Sequence, residues 1–216
     1  MPSGLYEEFA AAYVRGMCPD APAAASVAEL LEHGRSQGLK LHRFKRSATL
    51  PRVRAVLGML RAVSPSTLAD IGSGRGVFLW PLMDAFPWLS VTAIERDERR
   101  LAHLEAVRRG GMERLQTRRA NAADLPFAEG AFDVVTVLEV LEHQRDPLPL
   151  AREAARVAGR FVIASVPSKA DDNPEHVQLF TSESLSALLL KAGAHSVKIE
   201  HVLNHIVAIA RITGGQ

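Results

Sequence analysis

Along the first 66 residues apolar side chains recur at helical spacing: Leu5, Phe9, Ala12 and Tyr13 share one face and Val27, Leu30 and Leu31 another. Pro19 and Pro22 punctuate between them. A third helix is predicted from Pro51, a residue suited to a first turn, through Val53, Val56, Leu57 and Leu60 to the Ser64-Pro65 break. Residues 1–66 therefore read as an N-terminal helical cap. From Thr67 the pattern changes to short apolar runs alternating with amphipathic segments, the pattern of βα units building a parallel sheet in an α/β domain over 67–216. Strands are predicted at 67–71, 91–94, 115–119, 132–138, 160–166, 196–201 and 205–212. Only Val202, Leu203 and Asn204 separate the last two, too few for a parallel crossover, so an antiparallel hairpin is forced.

Composition narrows the class without naming a function. The chain has 216 residues, 47% of them hydrophobic, and 26 Lys+Arg against 24 Asp+Glu. That length suits one globular domain with an appendage, and the near-balanced charge demands no phosphate-coated partner, so nucleic acid has to be argued locally. Cys18 is the single cysteine, which excludes an intramolecular disulfide. Met1-Pro2-Ser3-Gly4 carries no basic region before an apolar run, and no stretch reaches 18 uninterrupted apolar residues. A soluble, cytoplasmic protein without a membrane partner is the expectation; oligomeric state is not legible.

The most informative segment runs Leu68-Ala69-Asp70-Ile71-Gly72-Ser73-Gly74-Arg75-Gly76-Val77-Phe78. A buried strand enters a turn with glycines at alternate positions and then opens a helix, leaving main-chain N–H groups to face a ligand. Taken alone, such a turn is as well explained by tight βα geometry. Strand two, however, ends in Ala93-Ile94-Glu95-Arg96-Asp97, which places Glu95 about 20 residues past the glycines, where a carboxylate accepts ribose hydroxyls. Ala120-Asn121-Ala122-Ala123-Asp124-Leu125-Pro126-Phe127 and then Phe132-Asp133-Val134-Val135-Thr136-Val137-Leu138-Glu139 follow strand three.

From residue 67 onward these segments resemble the class I, Rossmann-like S-adenosylmethionine-dependent methyltransferases. A nicotinamide-binding domain expects G-x-G-x-x-G/A, and Val77 occupies its third slot here. The resemblance implies a seven-stranded, mostly parallel Rossmann-like sheet with an antiparallel C-terminal hairpin strand, an N-terminal helical cover and S-adenosylmethionine as cofactor. It implies that Asp70 helps place the methionine ammonium, that Gly72, Ser73, Gly74 and Gly76 pass beneath the amino-acid moiety, and that Glu95 binds the ribose. Ile94 and Arg96 would flank the adenosine. Asn121, beside Ala122, would accept from the adenine amine, with Asp124 as the fallback, and Leu138 and Glu139 would lie near the reactive methyl.

Leu138-Glu139-Val140-Leu141-Glu142-His143 resembles the E-x-x-E-H segment of many family members. Three readings stand for Glu139, Glu142 and His143: they orient the loop; or His143 is the general base with Glu139 or Glu142 as orienters; or, on one helical face, they make most of a metal site completed by His176, as small-RNA ribose 2′-O-methyltransferases do. No metal is assigned. The loop 167–180, with Ser168, Lys169, Asp171, Asp172 and Asn173, is a candidate substrate rim, and the helix after Thr181 is scaffold. The basic run Lys40-Leu41-His42-Arg43-Phe44-Lys45-Arg46 is read as a solvated connection, the rival being phosphate contact with Phe44 stacked on a base. His195, His201 and His205 are taken as surface or core histidines. The expected function is methyl transfer to a small-molecule acceptor at oxygen; metal-dependent RNA ribose methylation and cofactor binding without turnover are the alternatives.

Overall fold

The computed structural model describes residues 6–170 and 172–212; Met1 to Leu5, Asp171 and Thr213 to Gln216 lie outside them. Three helices come first, α1 (Glu7–Met17), α2 (Val27–Ser36) and α3 (Pro51–Val63). Ser26 caps α2, its hydroxyl accepting the Glu29 N–H while the Glu29 carboxylate accepts the Ser26 N–H; Pro51 opens α3 as its spacing predicts. The strands are β1 (Thr67–Ile71), β2 (Ser90–Glu95), β3 (Leu115–Arg119), β4 (Phe132–Leu138), β5 (Ala158–Pro167), β6 (Ser196–Val202) and β7 (His205–Arg211), interleaved with α4 (Leu79–Ala85), α5 (Glu98–Arg109), α6 (Leu148–Val157) and α7 (Ser182–Lys191).

All seven strands join one sheet in the order β3-β2-β1-β4-β5-β7-β6, with β7 antiparallel to both of its neighbours. The strand order reverses between β1 and β4, which opens a crevice beyond their carboxyl ends. Two apolar layers sandwich the sheet. One joins the cap to α4 and α5, the other joins α6 and α7 to the opposite face.

The cap is fixed chiefly by close contact, with the Arg46–Asp84 and Arg52–Glu139 pairs beside it. Gly16 of α1 lies against the Ala106 carbonyl of α5, and Gly110, which ends α5, lies against the Ala12 carbonyl of α1. Both lack a Cβ because the two main chains occupy its place. A second anchor is aromatic: Phe9 and Phe44 stack on Trp80 of α4 at 5.6 and 5.1 Å. Phe44 is wholly buried, so it is closed to a nucleic-acid base, and Arg43 and Arg46 lie over the Tyr13 and Tyr6 rings.

Two local expectations are corrected. The helix after the glycine loop begins at Leu79, not at the loop's edge, because Gly76 at φ +82° turns the chain under the Trp80 indole. Leu141–His143 forms one 3-10 turn in place of an α-helix, and Glu139 precedes it at φ +57°, so Glu139, Glu142 and His143 do not share a helical face. Gly16→Ala should weaken cap docking: overpacking against main chain is expected to cost about 1–3 kcal/mol, read as a lower urea midpoint at unchanged slope. An unchanged midpoint would show that the cap is loosely held.

Candidate functional site

Two adjoining cavities occupy the crevice. The larger, about 490 Å³, is lined by Gly72, Ile94, Glu95, Arg96, Asn121, Ala122, Glu139, Val140 and His143 among others. The smaller, about 210 Å³, is lined by Asp70, Gly72, Ser73, Gly74, Leu138, Glu139 and Ser165, with Arg52 and Val53 reaching in from the cap. Gly72, Arg100 and Glu139 line both.

The glycine loop is sewn to the end of β2. Gly72 and Ser73 donate their N–H groups to the Ile94 carbonyl, with Gly72 and Gly74 at φ +75° and +57°. Glu95 is almost buried, and its carboxylate accepts the N–H groups of Gly74, Arg96 and Asp97 at 2.8–2.9 Å. Three of about four lone-pair directions are thereby used, leaving one toward the larger cavity where the sequence suggests two ribose hydroxyls.

Asp70 ends at the smaller cavity, buried, with Thr136 donating its hydroxyl at 2.7 Å and Ser73 bonded through its hydroxyl to the Asp70 carbonyl. Burial pushes the Asp70 carboxyl up to about 6, against the stabilising hydroxyls and with the Glu95 charge adding to the rise. Such a buried acid is poised to receive a cation.

The other predicted residues separate. Arg96, Asn121, Ala122 and Leu138 line the cavities. Asp124 is exposed and lines neither; its N–H bonds the Asn121 carbonyl. Gly76 lines neither and serves the Trp80 contact instead. His143 holds the Glu175 carbonyl through Nδ1 at 2.9 Å and packs edge-on against His176 at 4.9 Å. Ligand atoms of Glu142, His143 and His176 lie within 4.8 Å of one another, and Glu139 is not among them. Its carboxylate turns to Ser165 Oγ at 2.6 Å and His205 Nε2 at 3.0 Å, with Arg52 Nε at 4.0 Å. Ser165, His205 and Arg52 escape a sequence reading because β5, β7 and α3 meet β4 only through the sheet register and the folded cap.

A switch-point crevice, a left-handed glycine loop and a carboxylate closing strand two give the site the form of a class I, Rossmann-like S-adenosylmethionine-dependent methyltransferase domain, and the comparisons point the same way. Residues 69–163 match the family model described as a methyltransferase domain. A probable S-adenosylmethionine-dependent methyltransferase of Mycobacterium tuberculosis is 31% identical over 113 residues, covering 48% of this chain and 40% of that protein. The 27-O-demethylrifamycin SV methyltransferase of Amycolatopsis mediterranei is 30% identical over 131 residues, 56% of this chain and 48% of the relative. The matches thus span less than half the length of either relative. Among solved structures, a SAM-dependent methyltransferase from Aquifex aeolicus superposes with a TM-score of 0.61 at 18% identity, over 77% of this chain and 92% of that one. No helix among the described residues is long and apolar enough to cross a membrane.

The raised Asp70 carboxyl carries a stability signature. Because the folded state holds this proton more tightly than the unfolded chain, with its value near 3.8, stability falls as pH rises from about 4 to about 6 and the cost is complete above that window. About two pH units correspond to ~3 kcal/mol. Asp70→Asn, which still accepts from Thr136, should raise the melting temperature at pH 8 and not at pH 4; equal shifts at both would contradict it.

Proposed function

We propose that the chain transfers a methyl group from S-adenosylmethionine to a small-molecule acceptor, at oxygen. The observation that carries this is the Glu95 carboxylate locked to the Gly74 N–H between the two cavities. Adenosine fits the larger one, its ribose on Glu95, its base beside Ile94, Asn121 and Ala122. The methionine end fits the smaller one, its ammonium toward Asp70 and its backbone contacts from the 72–74 loop. The sulfonium brings its own leaving group, so the protein has only to hold an acceptor in line and exclude water. Support for oxygen comes from the Amycolatopsis relative, whose name gives an O-demethylated substrate. The loop 167–180, whose Glu175 lines the larger cavity, would serve as the substrate rim in this reading; its Asp171 lies outside the described residues.

A second reading is favoured by one observation, the Glu142, His143 and His176 cluster. The Glu175 carbonyl on Nδ1 fixes the His143 tautomer so that Nε2 is the coordinating atom, the arrangement metal-bound imidazoles use. A divalent ion held there would draw an acceptor's hydroxyl pair, as in RNA ribose methylation. Calorimetric titration with Mn²⁺ separates the readings: heat of binding that Glu142→Gln abolishes favours the metal, and a silent titration removes it.

Calorimetry with S-adenosylmethionine and with NADH tests the main proposal. Binding of the first alone is expected, with affinity lost by at least about tenfold in Gly74→Val, since a β-branched residue is strained at positive φ and fills the loop. NADH binding, or no binding of either, would overturn it.

A further inference from the structure

Resting on the cofactor placement just proposed, one cluster points further. Sulfur joins the adenosyl carbon to the methionine chain, so it belongs where the two cavities meet. Three residues line both: Gly72 has no side chain, Arg100 is a cation that a sulfonium repels, and Glu139 is a carboxylate. His143, the base expected from sequence, lines the larger cavity and not the smaller.

Glu139 is held by groups from three other elements. Ser165 of β5 donates its hydroxyl to Oε1, His205 of β7 meets Oε2, and Arg52 of α3 stands at 4.0 Å. The Glu139 N–H donates to the Ser165 carbonyl while its own backbone is left-handed at φ +57°, a conformation that non-glycine residues keep where the surroundings impose it. The histidine is itself fixed from behind. Its Nδ1 lies 2.9 Å from the Leu203 carbonyl, which can only accept, so Nδ1 carries a hydrogen. Nε2 and Oε2 at 3.0 Å then share one proton, whichever atom bears it. Two lone-pair directions of the carboxylate remain, and Glu139 keeps about a quarter of its side chain open to the crevice.

We infer that Glu139 accepts the hydrogen bond of the acceptor's reacting O–H or N–H beside the transferring methyl, and that His205 and Ser165 are its positioning residues. The acceptor class follows: its reacting atom carries hydrogen. His205, taken from sequence as a structural histidine, is assigned to the site by this contact.

Sinefungin tests this without the acceptor, because a carbon replaces the sulfonium sulfur and carries an ammonium where the methyl would stand, offering N–H groups there, whereas S-adenosylhomocysteine offers none. By calorimetry the wild type should bind sinefungin at least about tenfold more tightly than S-adenosylhomocysteine. Glu139→Gln should bring the two within about twofold while leaving S-adenosylhomocysteine affinity within about twofold of the wild type. His205→Ala should reduce the ratio and His205→Gln, which restores a donor to Oε2, should recover it; a purely structural histidine would show no such recovery. An unaltered ratio in Glu139→Gln, or a ratio that falls in His143→Ala instead, overturns the inference while the cofactor proposal stands. Failure of the wild type to bind either nucleoside overturns both.

Discussion

The Glu95 carboxylate is the constraint on which the site depends. It gathers the N–H groups of Gly74, Arg96 and Asp97, and so ties the β1 loop to the point where β2 turns into α5. Removing this side chain would break three main-chain hydrogen bonds to a charged acceptor, each worth about 1.5–3 kcal/mol. The same bonds fix the open loop that separates the two cavities. Shape and charge at the crevice therefore share one cause: a buried acid satisfied by backbone on one side and turned to the ligand space on the other.

A second layer of control comes from the cap. Trp80 donates its indole N–H to the Arg75 carbonyl, rests on Gly76, and takes Phe9 and Phe44 on its rings. Ser47 donates its hydroxyl to the Val77 carbonyl. Through these contacts the N-terminal helices brace the glycine loop from outside, while Arg52 and Val53 form part of the smaller cavity's wall. Cap and sheet consequently act on the site together.

Much of this was legible in the sequence. Alternation of short apolar runs with amphipathic segments located the strands, and the three residues between the last two forced the hairpin, since no crossover fits in so short a link. The place of Glu95 at the end of β2 was legible from its spacing past the glycines; its bonds to the Gly74, Arg96 and Asp97 N–H groups were not. Gly76 was legible as a glycine, but not for the contact seen here, a Trp80 indole four residues on that fills the place of its Cβ. The Glu139 cluster was out of reach: it needs Ser165 beside Leu138 and His205 beside Pro167 in the sheet register, together with a left-handed backbone at a non-glycine residue. Nor does a helical wheel describe a segment that makes a single 3-10 turn, which is why the expected face of Glu139, Glu142 and His143 dissolves.

The central claim is that one nucleoside cofactor spans both cavities, anchored by Glu95 and presenting its sulfur to Glu139. A crystal structure with S-adenosylhomocysteine measures this directly. The account predicts a ribose hydroxyl within hydrogen-bond distance of Glu95, the adenine against Ile94 and Asn121, and sulfur beside the Glu139 carboxylate. Density for the ligand outside this crevice, or a ribose facing away from Glu95, would contradict it.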